Sequence, residues 1–311
     1  MLGRIDARRL PQLAGDQMFV TDGGLETDLM FHSRFDLPCF AAFPLLECPE
    51  TREVLRRYYA GYLDVARRHG AGFVVEAPTW RANPDWAARL GFSVVQLDDL
   101  NRRAIELAEE VRASATADGI TAVVSGCVGP RERTMTAAEA QDYHAPQIAS
   151  FAATTADLVT AVTINDAAEA VGIVRAAADA DVPVAVSFTV ETDGRLATGQ
   201  SLREAVERVD ADTDSGAAYF MVNCAHPTHL TGTFDDEGPW LQRMVGLRLN
   251  ASTRNHAELD EADDLDEGDP DDFGAGTAAL RERLPAATVF GGCCGTDVRH
   301  VAAVWRRLAP N

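Results

Sequence analysis

Thr288-Val289-Phe290-Gly291-Gly292-Cys293-Cys294-Gly295 is a short apolar run that ends in two glycines and a vicinal cysteine pair. Upstream, Tyr219-Phe220-Met221-Val222-Asn223-Cys224 has the same shape, with a thiol just past its apolar end. The length and composition of both runs predict strands. The 69-residue separation between Cys224 and Cys293 suits two strand–helix units. That spacing would set the cysteines on alternate strands of a barrel, converging at its mouth. Adjacent cysteines rarely bond each other without strain, but both can ligate one metal. Cys224, Cys293 and Cys294 would hold a zinc ion through three thiolates and leave its fourth position open, as in catalytic rather than structural sites.

The rest of the chain repeats the strand–helix alternation. Strands are predicted at Met18–Thr21, Phe73–Glu76, Ala122–Ser125, Leu158–Val162, Val184–Thr189, Ala218–Val222, Val245–Leu249 and Thr288–Phe290. Between them lie amphipathic stretches at Glu50–His69, Asp98–Asp118, Ala137–Ala153, Asp166–Ala178, Leu202–Asp210, Gly276–Arg283 and Thr296–Leu308. Gly70, Gly72, Gly119 and Pro183 punctuate the returns from helix to strand. Regular alternation argues for parallel strands, and eight of them favour a closed (β/α)₈ TIM barrel. No Gly-x-Gly-x-x-Gly follows a strand, which counts against a Rossmann-like sheet. In a barrel, functional residues gather at the C-terminal strand ends, where Asp22, Glu76, Cys127, Cys224 and Cys293 all fall. One domain is expected over 1–311, interrupted at 258–272 by an insertion with ten acidic residues in fifteen positions. Such a run reads as a solvated loop or exposed helix.

Composition narrows the function classes. The formal net charge is −20, and all 28 basic residues are arginine. Without lysine there is no Schiff-base, pyridoxal-phosphate or P-loop lysine. The negative field opposes binding to nucleic acid, and no apolar run is long enough to span a membrane. The basic N-terminus lacks the apolar core of a signal peptide. Six cysteines, three of them at strand ends, suit metal chemistry in a reducing cytoplasm better than a disulfide framework. Acidity without lysine further suggests a halophilic protein, whose self-repulsion is screened by intracellular salt.

Zinc with three thiolates carries a net charge of −1, which makes it a poor activator of water and a good host for a fourth sulfur. The chemistry implied is alkyl transfer to a substrate thiol. A rival ligand set, Cys224, His226 and His229, has tolerable spacing but leaves the vicinal pair unexplained. Asp22 could meet a substrate ammonium, and Gly23 permits close backbone approach. Glu26 reads as a first-turn helix carboxylate or a partner of the site. Glu76 ends an apolar strand, so it either faces the mouth or pairs internally with an arginine. Asn223 either orients the site through amide hydrogen bonds or is structural.

With these residues in view, the chain resembles the homocysteine S-methyltransferase family. The resemblance is carried by Asp22-Gly23-Gly24-Leu25-Glu26-Thr27-Asp28-Leu29, Val75-Glu76 with Thr79, Gly129-Pro130, Ser187-Phe188-Thr189, Val222-Asn223-Cys224 and Gly291-Gly292-Cys293-Cys294-Gly295, in family order. It implies a (β/α)₈ barrel, zinc on Cys224, Cys293 and Cys294, and homocysteine held near Asp22 and the glycine amides that follow it. Its partners would be a small-molecule thiol and a methyl donor. Two departures stand out: Val162 replaces a glutamate that often precedes the strand-four Thr-Ile, and Ala77-Pro78 replaces a common Thr-Asn. These leave open a methyltransferase for another thiol, or a non-catalytic zinc barrel serving a methyl-carrier protein. The chain has no cobalamin or folate module, which favours a small sulfonium or ammonium donor. Phe31, Trp80 and Phe188 are aromatic candidates for receiving such a cation.

Overall fold

The computed structural model describes residues 10–15, 17–260, 262 and 264–308. Eight parallel strands close into a barrel in chain order: β1 (Phe19–Val20), β2 (Gly72–Glu76), β3 (Ala122–Val128), β4 (Leu158–Ile164), β5 (Val184–Phe188), β6 (Tyr219–Asn223), β7 (Met244–Leu249) and β8 (Val289–Gly292). β8 returns to pair with β1, through Phe19 opposite Val289 and Val20 opposite Phe290. This is the (β/α)₈ TIM barrel that the alternation predicts. Among the described residues no helix is long and apolar enough to cross a membrane.

The period-two alternation of a strand decides what lies inside. Phe19, Val74, Val123, Leu158, Ala185, Tyr219, Val245 and Val289 form one buried cluster, with contributions from all eight strands. Their chain neighbours Val20, Phe73, Val124, Val159, Val184, Val186, Phe220 and Phe290 belong to the larger core that also includes the helices. Two or four residues on from the floor cluster, the same faces carry Glu76, Cys127, Val162, Asn223 and Cys293 to the barrel mouth, in phase with the apolar floor, where they line one cavity. Arg248, three residues on from Val245, reaches that cavity past the register shift between β6 and β7.

Helix boundaries follow capping chemistry more closely than apolar periodicity. Val94–Ala117 begins four residues before the apolar pattern predicts, because Ser93 and Gln96 form a reciprocal capping box. Thr136 with Glu139 and Ser201 with Glu204 do the same for Ala137–Ala152 and Leu202–Thr213. Pro49–His69 ends at Gly70, whose φ of 62° is the left-handed cap that glycine takes without steric cost.

The acidic insertion, read as a solvated loop or an exposed helix, has parts of both and also contributes to the cavity. Its far end is the first turn of helix Pro270–Arg281, where Asp269 accepts hydrogen bonds from the Asp271 and Asp272 amides. Acidic side chains there meet the positive end of the helix dipole. Its middle turns inward, so that Leu259, Ala262, Asp264, Leu265 and Asp266 line the cavity mouth. Ser252 donates to Asp266 (2.6 Å), and the His32 ring sits 2.9 Å from a Glu267 carboxylate oxygen, tying the segment to the barrel. Glu261 and Asp263 lie outside the described residues.

Candidate functional site

The cavity at the C-terminal strand ends has a volume of about 690 Å³. Cys224 follows β6 in a left-handed conformation (φ 53°), with its amide donating to the Arg248 carbonyl at 3.2 Å. The Cys224 carbonyl accepts from the Asn250 side-chain amide (3.3 Å) and from the Thr189 hydroxyl (3.4 Å). Cys293 follows β8 and is held by its amide on the Leu249 carbonyl at 2.8 Å. The next turn is packed so tightly that a side chain on Gly24 would meet the Cys293 carbonyl at 2.6 Å. All three sulfurs lie within 4.8 Å of one another, with Cys224 and Cys294 separated by 3.7 Å.

Cys224 and Cys293 are joined as a disulfide in this structure. A metal would require the pair reduced. The donor set fits zinc, because three soft sulfur ligands converge from two strand ends on an open cavity. The rival histidines turn elsewhere. The His226 Nδ1 faces the Thr228 hydroxyl at 2.8 Å, while His229 accepts from the His226 amide and sets its Nε2 2.9 Å from the Thr253 carbonyl. Burial, with help from His229, depresses the His226 pKa to about 4.

The carboxylates are arranged around a residue that sequence reasoning missed. Arg248, only 7% exposed, forms ion pairs with both Asp22 (2.5 Å) and Glu76. Its Nε also reaches the Gly292 carbonyl at 3.3 Å, just before the cysteine pair. Glu76 thus has the internal arginine partner that was one of its two readings, while still lining the cavity. Asp22 also accepts from the Tyr58 hydroxyl at 3.3 Å. Burial outweighs Arg248 and Tyr58, and the Asp22 pKa is raised. An arginine in the apolar run Met244-Val245-Gly246-Leu247-Arg248-Leu249 was the available signal, since a buried guanidinium requires carboxylates.

Asn223 bridges β6 to β4. Its side-chain carbonyl accepts from the Thr163 amide (2.8 Å), and its amide donates to the Thr163 hydroxyl (3.0 Å). Thr163 has φ 63° and sits where the β4–β5 register shifts, so Asn223 holds a strained bulge in place. The same amide points at the Cys293 sulfur, 3.7 Å away. Gly23, Val162, Ala77, Pro78, Phe31 and Trp80 line the cavity. Phe188 does not: it is fully buried on the helix side, stacked on Phe220 with ring centroids 6.0 Å apart. Its position in β5 puts it out of phase with the inward face, which corrects its assignment to the mouth.

Glu26 lines the cavity from the turn after β1. Its carboxyl is pushed up to about 7, chiefly by burial, against which its own backbone amide acts; Asp22 raises it further, and Arg81 and Arg248 oppose.

Comparison with known proteins agrees with this arrangement. A homocysteine S-methyltransferase from Zea mays is 24% identical over 93% of this chain and 89% of its own length. One from Arabidopsis thaliana is 22% identical over the same shares. The homocysteine methyltransferase MmuM from Escherichia coli, in its metallated form, superposes with a TM-score of 0.71 at 21% identity, covering 97% of this chain and 100% of its own; at that identity the likeness concerns the fold. The homocysteine S-methyltransferase family model matches residues 19–308. The chain belongs to that family and is a homocysteine methyltransferase-like enzyme.

Proposed function

We propose that this enzyme transfers a methyl group from a small activated donor to the sulfur of homocysteine, giving methionine. The observation that carries the reading is the convergence of Cys224, Cys293 and Cys294 within 4.8 Å beside a 690 Å³ cavity, in a chain of this family. Reduced, the three cysteines would hold zinc, which would lower the pKa of a substrate thiol so that it reacts as thiolate near neutral pH. The chain's own residues then have three tasks. Asn223 fixes the Cys293 side of the site and the β4 bulge together. Gly23 and Gly24 let the amino-acid end of the acceptor approach the backbone, and the carboxylates Asp22, Glu26 and Glu76 set the negative field that draws its ammonium in. The cavity would hold sulfur and methyl in line, and such positioning supplies much of the acceleration.

A cationic sulfonium or ammonium donor fits the mouth, whose lining includes the carboxylates Glu132, Asp264 and Asp266 and the aromatic rings of Trp80 and Phe31. Three reactive thiols in one site suit a reducing compartment, and the cytoplasm is the location that goes with this reading. The test is methionine formation by reduced, zinc-loaded protein from homocysteine, with S-methylmethionine, S-adenosylmethionine and betaine as separate donors in high salt. Turnover with one of them is the expected result. Methylation of another thiol in place of homocysteine would overturn the acceptor, and no turnover with any free donor would favour a carrier-protein partner.

A further inference from the structure

The cavity reading leaves open which carboxylate meets the acceptor's ammonium. Asp22 and Glu76 are both committed to Arg248, and Val162 presents no charge from β4. Glu26 differs from these. Among the described residues its carboxyl forms no hydrogen bond or ion pair with another side chain, although it lines the same cavity. A second observation points the same way. Asn250, 3% exposed, lines that cavity too, and its side-chain carbonyl lacks a donor among the described residues. A half-buried carboxylate with no side-chain partner and a buried amide carbonyl without a donor, facing one cavity, call for a ligand rich in N–H donors, because unpaired polar groups there are costly.

Resting on the reading of this cavity as an amino-acid thiol site, we propose that Glu26 is the specificity residue that receives the acceptor's ammonium. Arg248 neutralises much of the Asp22–Glu76 pair, so these carboxylates organise the strand ends. Glu26 offers a carboxyl without a side-chain partner among the described residues, on a helical turn that packs against the cysteine loop, where the Thr27 hydroxyl accepts from the Gly295 amide at 3.1 Å. It stands in for the carboxylate that Val162 lacks.

Calorimetric binding to the reduced, zinc-loaded protein tests this without methyl transfer, using L-homocysteine and 4-sulfanylbutanoate, which is the same molecule without its amine. The native protein should bind homocysteine roughly 10- to 100-fold more tightly, as expected for a charge-assisted contact. Glu26→Gln should erase that preference and leave 4-sulfanylbutanoate affinity unchanged. Glu26→Ala is the second variant, and whichever of the two folds must show the loss. A preference that survives in the Glu26 variants and vanishes in Asp22→Asn overturns the proposal, as does a native protein that does not discriminate. If neither ligand binds the native protein, the reading of the cavity itself fails.

Discussion

Replacing Arg248 with methionine removes the single cation between two buried carboxylates. Arg248, Asp22 and Glu76 are 7%, 4% and 5% exposed, so water replaces little of what is lost. Breaking a buried ion pair by deleting one partner costs about 3–5 kcal/mol. At about 1.36 kcal/mol per pKa unit, that is two to four units of extra upward shift shared by the orphaned carboxyls. The Asp22 pKa is already raised, burial prevailing over the opposing Arg248 and Tyr58, and deletion removes the larger opponent. A carboxyl whose folded-state pKa lies above its unfolded value costs stability once pH exceeds the unfolded value, and protonation relieves the cost. The Arg248→Met penalty should therefore be full at pH 8 and much smaller at pH 5. Urea unfolding midpoints of both proteins at the two pH values measure it. Combining Arg248→Met with Asp22→Asn and Glu76→Gln should recover more than half of the loss at pH 8, because no buried charge remains. A variant as stable as the native protein at pH 8, or a penalty that persists undiminished at pH 5, would refute the account of this cluster.

Three further outcomes are expected. Reduced protein should carry close to one zinc per chain by metal analysis, and alanine at Cys224, Cys293 or Cys294 should release it with the far-ultraviolet dichroism retained; full zinc in the Cys293→Ala/Cys294→Ala double variant would remove the thiols from the metal site. The melting temperature should rise from dilute buffer to molar potassium chloride, because relief of self-repulsion at a net charge of −20 outweighs the weakening of exposed pairs such as Arg203–Glu207 and Arg102–Asp98, each of little individual worth; a flat or falling curve would make the acidity incidental. Glu26 titrates near 7 because burial raises it, with Asp22 adding to the shift and its own backbone amide, Arg81 and Arg248 opposing. The preference for homocysteine over 4-sulfanylbutanoate should accordingly grow from pH 6 to pH 8 in the native protein and stay flat in Glu26→Gln, as measured by calorimetry at each pH.

What the sequence discloses and what it hides divide along the range of the interaction. Strand alternation, glycine stops and the two thiol-ending apolar runs are local, and they suffice for the barrel and for the meeting of Cys224, Cys293 and Cys294, because once the strand count is known, parallel closure places strand ends together. Capping boxes are local as well; Ser93 with Gln96 was legible and marks the helix start better than the exposed Val94 and Val95 that follow. The apolar run around Arg248 announces a buried guanidinium, but its partners were hidden because they lie far away in sequence, Asp22 by 226 residues. The face of Phe188 needed the strand phase, which β5 does not declare, being buried throughout with Ser187 among its apolar residues. The inward turn of the acidic segment was masked by its own composition: charge density speaks for solvent, yet Leu259 and Leu265 reach the mouth together with Asp264 and Asp266. The same logic bears on the missing strand-four carboxylate. Val162 alone reads as a lost contact, but the barrel brings Glu26 to the same cavity from the other end of the chain. Under the role proposed for Glu26, a charge absent at one strand end is supplied from the turn after another, and homocysteine use would survive a substitution that a linear comparison counts against it.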